Sequence, residues 1–170
     1  MRQLGPSSRV AGRAGAPSSR EGLSHDQVLN IASLAVAATA ALHVKGPTGE
    51  PLYADEAGKL PVRIHLHGPG SRAYGAVESR QSARALKRMQ DNDGKITAAT
   101  QEERIAETAE DLAAITVSFE NFDYQPEGAS LTGQDMFRAA YADQGIGYIT
   151  RQVTKFVADW GNFKAASKAA

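Results

Sequence analysis

The chain has 170 residues, enough for one ordinary domain that buries about two thirds of the surface its unfolded form exposes. Its 19 basic and 19 acidic residues cancel, which argues against a dedicated nucleic-acid binder, and the lack of cysteine excludes disulfides, thiolate metal sites and a cysteine nucleophile. No apolar run reaches the roughly 18 residues of a membrane span, because "IASLAVAATAALHV" (Ile31 to Val44) is too short and too rich in alanine.

The opening "MRQLGPSSRVAGRAGAPSSREG" is rich in Arg, Ser, Gly and Pro with a single acid, a composition that imitates an organellar transit peptide. The simpler expectation for 1–24 is a disordered basic arm, or an upstream extension of the reading frame, with Arg2, Arg9, Arg13 and Arg20 solvated. Near Met1 there is no apolar core of the kind a secretory signal needs, so the default location is the cytosol. A single α+β domain is expected over 25–163, with a hairpin part at 25–67 and a helical part at 68–163, followed by a flexible tail at 164–170.

Thr39 to Lys45 reads as a strand, closed by the turn pair Gly46-Pro47. The next strand, Val62-Arg-Ile-His-Leu-His67, alternates strictly: Val62, Ile64 and Leu66 fall on one face and Arg63, His65 and His67 on the other. "GPTGEPLYADEAGKLP" between them suits a long hairpin connection with a short extra strand near Leu52 and Tyr53, and its prolines stay out of any central ladder.

Gly68-Pro-Gly70 breaks the strand, and Ser71 is placed to cap a helix running to about Gln90. Arg80, Arg84, Lys87 and Arg88 form one stripe on it, and the segment from Ser71 to Gln90 carries a net charge of +4. After "DNDGK" a second helix is expected from about Thr100, with Ile105, Ala109, Leu112, Thr116 and Phe119 as its apolar stripe. From Thr100 to Glu120 the net charge is −5, so the two helices should lie antiparallel and attract.

"FENFDYQPEGAS" reads as a loop crowded with aromatics, with Phe119 and Phe122 expected to be buried. Thr132 with Asp135 predicts a capping box for a short third helix, Leu131 and Met136 a hydrophobic staple, and Phe137 and Tyr141 its inner face. The fourth helix carries Ile146, Ile149, Val153, Phe156, Val157 and Trp160 on one face and is expected to stop at Gly161. Phe156 and Trp160 are read as core residues, so that Trp160→Ala should cost roughly 3 to 5 kcal/mol. Phe163, beyond the helix stop, is less committed to the core.

Three constellations invite a chemical reading. His65 and His67 share a strand face and His43 could stand opposite them, which would suit zinc or iron, but an outward "RxHxH" strand surface is ordinarily just polar and lacks a carboxylate at ligand spacing. The turn "GPGS" offers amides at a helix start but lacks a Walker lysine and does not match the dinucleotide fingerprint. The carboxylates of the second helix are spread along a solvated face. No metal, cofactor or catalytic residue is therefore assigned, and an enzyme is not expected. The basic stripe is expected to meet the acidic helix or an acidic partner, since no aromatics interleave with it as single-strand binding would require.

The C-terminal half, "AAITVSFENFDY" followed by "MFRAAYADQGIGYITRQVTKFVADWGNF", resembles small tail proteins of long-tailed bacteriophages described as tail assembly chaperones or tail-associated structural proteins. The likeness extends from His43 to Phe163, through a "GPTGEPLY" turn and the strand entering "HGPGSRAY", to an ending formed here by Ala140-Tyr141-Ala142-Asp143, Tyr148-Ile149, Gln152-Val153, Phe156, Asp159 and Asn162-Phe163. It implies an N-terminal β-hairpin or small antiparallel sheet packed on a bundle of about four helices, and a role in coating the tape-measure protein and recruiting tail-tube subunits. The expected location is the host cytoplasm, or else the virion tail. Arg80, Arg84, Lys87, Tyr124 and Phe163 are the residues expected to touch partners, and a homo-oligomer is left open. The alternative is a structural subunit retained in the particle; a metal-dependent enzyme built on His43, His65 and His67 is a third.

Overall fold

The computed structural model describes residues 28–164, and the chain divides into two compact units, Met1–Ile31 and Ala32–Ala170. The basic arm expected over 1–24 lies outside the described residues, as does all of the expected tail except Lys164. The second unit is an α+β fold in which a three-stranded antiparallel sheet shares one core with four α-helices.

Strand β1 (Thr39–His43) pairs with β2 (Arg63–His67), and β2 with β3 (Thr116–Glu120), both antiparallel. The period of two in β2 is realised as read: Ile64 and Leu66 are fully buried while Arg63, His65 and His67 are half-buried on the opposite face. Between β1 and β2 the connection tucks back on itself. Leu52 donates its N–H to Val44 and accepts from Val62, and bridges form between Lys45 and Pro51 and between Tyr53 and Pro61. This is the short extra pairing expected near Leu52 and Tyr53.

Helix α1 (Arg72–Asp91) starts where Ser71 Oγ accepts from the Tyr74 N–H. Helix α2 (Gln101–Ile115) opens with a reciprocal capping box, Thr100 with Glu103, which the sequence reading did not single out. Helices α3 (Gly133–Ala142) and α4 (Gly147–Ala158) complete the set, with Phe137, Tyr141, Val153 and Val157 buried.

Three expectations are corrected. Helix α2 does not run to Phe119: it passes without a loop into β3, which the periodicity had absorbed into a helical stripe. Thr116 and Phe119 both face the core because a bulge between His65 and Leu66 leaves Val117 without an opposite residue, so a strand reproduces a spacing of three. At the junction the Thr116 hydroxyl, 2.8 Å from both the Leu112 carbonyl and the Tyr141 hydroxyl, ties the end of α2 to α3. Secondly, Thr132 precedes α3 but makes no side-chain cap; Asp135 pairs instead with Arg138, and Gly133 begins the helix in the left-handed region at φ 55°. Thirdly, α4 stops at Ala158, three residues short of Gly161, with consequences for Trp160 described next.

Candidate partner-binding site

The "FVADWGNF" corner is built by one acid and one amide. Asp159 leaves the helix with extended backbone and its carboxylate accepts the Gly161 N–H at 2.8 Å, opening a 3-10 turn over Trp160–Phe163. The Asn162 amide donates to the Phe156 carbonyl at 2.9 Å, satisfying a terminal acceptor of α4. This turn rotates the next side chains out of the helical stripe. Phe163 is carried inward to 0 % exposure, edge to face with Phe156, while Trp160 is left 56 % exposed.

Both placements reverse the sequence expectation: Trp160 is not a core residue, and Phe163 is not free for a partner. The Phe163 ring lies on Gly68, where a Cβ would come within 2.7 Å of ring carbons, so the glycine after β2 is a packing requirement as well as a strand break. The Phe163 carbonyl also accepts the Ala37 N–H, and Val36 bridges to Lys164. The indole stands near Gly70, which is also close to Val36, and forms with them an apolar corner.

The charged stripe is largely consumed inside the molecule. Asp111, its side chain 8 % exposed, accepts from Arg80 Nε and Nη2 (3.1 and 2.9 Å), from Gln81 Nε2 (2.8 Å) and from Arg84 Nη1 (3.0 Å to each oxygen). Arg80 and Arg84 also pair with Glu110, and Arg88 with Glu107. The order 80, 84, 88 against 111, 110, 107 gives the antiparallel arrangement that the opposite charges had suggested. Burial lowers the Arg84 pKa, but the hydrogen bond and charge of Asp111, aided by Glu110, outweigh it and the net shift is upward. Asp111 is the residue the sequence reading missed: it was counted among solvated acids, although Ala109, Leu112 and Ala113 around it are buried. Lys87 alone of the predicted stripe residues projects into solvent, 77 % exposed and 3.5 Å from Asp91.

Tyr124 faces its own fold, donating to Asp143 Oδ2 at 2.9 Å and so pinning the aromatic loop to the turn between α3 and α4. That bond, with smaller help from burial and the carboxylate charge, raises the tyrosine pKa. Phe119, which belongs to β3 and not to the loop as expected, stacks on Phe122 at 4.4 Å and packs on Phe137 at 4.6 Å; both are partly buried against the core where full burial was expected.

The histidines do not converge. In the β1–β2 register His43 stands opposite Arg63 and not opposite His65 or His67; its Nε2 meets the Leu52 carbonyl at 2.9 Å. His65 Nε2 instead lies 2.6 Å from Glu120 Oε2, a carboxylate that β3 supplies across the strands and that no inspection of β2 alone could find. The hydrogen bond from His65 is the main reason the Glu120 pKa is lowered, against a smaller opposing effect of burial and with help from Arg63. No group of three or more potential metal ligands is assembled among the described residues.

The chain matches no family model, no curated protein and no solved structure in the comparisons made.

Proposed function

We propose that the protein is a docking module of the tail assembly chaperone kind, binding the tape-measure protein and tail-tube subunits during phage tail morphogenesis. The family part of this reading rests on the resemblance of the segment from His43 to Phe163. The structural observation that supports docking is Trp160: a large aromatic more than half exposed, on a turn held by Asp159, Asn162 and the buried Phe163. Rigid, exposed tryptophans are enriched among residues that dominate binding energy, and the apolar stripe of a client helix is a surface they can bury.

The test is co-expression of the full chain with the tape-measure and tail-tube proteins, followed by pull-down. Capture of the tape-measure protein by the native chain, with at least a tenfold loss in Trp160→Ala while the variant stays folded at the assay temperature, is the expected result; the tenfold figure corresponds to about 1.4 kcal/mol, modest for an anchor tryptophan. Equal capture by the variant, or no capture at all, removes the reading. Stoichiometric peptides of this chain in purified particles would replace it with the structural-subunit alternative.

A further inference from the structure

A cleft of about 490 Å³ lies between the first turns of α2 and α4, lined by Arg104, Arg151, Gln101, Thr108 and Tyr148 among others, and no carboxylate among the described residues lines it. In a chain whose charges balance this is unusual. The neighbouring hollows that contain arginine also contain acids: Arg84, Arg88 and Arg104 with Glu107 and Asp111 in one, Arg138 with Glu110 and Asp135 in another. Glu107, the acid of α2 nearest in sequence to Arg104 on its C-terminal side, is taken up by Arg88, and Glu103 on the other side by the capping box. Neither Arg104 nor Arg151 forms an ion pair with any described residue.

Arg104 and Arg151 line one concave surface and neither is held in an ion pair by a described residue, so the cleft carries a positive potential. A phosphoryl group is the ligand that this chemistry suits best, because its double charge and three peripheral oxygens match two planar donor forks. Thr108 and Tyr148 add hydroxyls, whereas the Gly145 N–H at the rim is already taken by Asp143, so the arginines define the site. The volume exceeds that of a bare phosphate and falls in the range of pockets that hold small organic molecules. We propose that this cleft binds a phosphorylated small molecule through Arg104 and Arg151. The site shares no residue with the Trp160 corner and stands or falls independently of it.

The experiment is titration of the full chain with inorganic phosphate and with pyrophosphate at constant ionic strength, using chloride as reference and reading both calorimetric heat and melting temperature. Saturable binding is expected, about tenfold weaker in Arg104→Gln and in Arg151→Gln, and lost in the double variant, whose own melting temperature stays near that of the native chain because both side chains are exposed. Arg104→Lys should fall between, since it keeps the charge but not the fork. Stabilisation by phosphate no greater than by chloride, or equal in the double variant, overturns the proposal. So does a result in which a glutamate-rich peptide binds through these arginines while phosphate and pyrophosphate do not, for the cleft would then belong to a protein partner.

Discussion

At the scale of single residues, the two aromatics of "WGNF" exchange the roles their spacing suggests. Helical periodicity places Trp160 over Phe156 and leaves Phe163 beyond the end; the four-residue 3-10 turn opened by Asp159 inverts this. The energetic consequence follows from burial. Phe163→Ala should cost about 3 to 5 kcal/mol, and Gly68→Ala, which forces the same ring out of place, about 1 to 3 kcal/mol. Trp160→Ala, by contrast, should cost less, about 1 kcal/mol, because only part of the indole is covered at the corner with Val36 and Gly70. Urea denaturation of the three variants checks the ranking; a Trp160→Ala loss comparable with that of Phe163→Ala would contradict the placement of the indole.

At the scale of elements, β3 shows how pairing overrides a local pattern. Ile115-Thr116-Val117 is a β-branched run at the end of a helix, and the free edge of β2 offers it a ladder. The ladder then creates the His65–Glu120 contact. Because the folded pKa of Glu120 is depressed, the stability this pair contributes is present above the unfolded value of about 4.5 and is lost as pH falls through the lower folded value. The melting temperature of the native protein should therefore decline on acidification below pH 4.5 more steeply than that of Glu120→Gln. Parallel declines in the two proteins, measured by thermal denaturation monitored by circular dichroism, would show that the pair contributes nothing to acid sensitivity. The junction itself is tested by Thr116→Val, which removes the hydroxyl shared by Leu112 and Tyr141 and should cost about 1 to 3 kcal/mol in urea denaturation.

At the scale of the whole unit, α1 is the α-helix with the fewest buried side chains: Val77 is buried, Tyr74 packs partly on the core, and the clasp on Asp111 adds a polar tie to α2. Asp111→Ala removes the hydrogen bonds from Arg80, Gln81 and Arg84 but leaves both arginines Glu110 as a partner, so it should destabilise by about 1.5 to 3 kcal/mol in urea denaturation. Hydrogen exchange should lose protection earlier in α1 than in β2, whose Ile64 and Leu66 are fully buried; uniform loss across both would show that α1 is held as firmly as the sheet.

What the sequence determined by itself were features with a short-range cause: the alternating strand from Val62 to His67, the Ser71 cap, the glycine-proline breaks, the opposite charges of α1 and α2, and hence the α+β class. The tertiary structure alone decided the bulged third strand, the burial of Asp111, the Glu120 partner of His65 and the reversed fates of Trp160 and Phe163. Each of those depends on which distant backbone or side chain arrives opposite a residue, and a pattern of neighbours along the chain carries no record of that arrival. The cleft with its two arginines belongs to the same group: residues 47 positions apart, Arg104 and Arg151, share a surface only because α2 and α4 pack against one core.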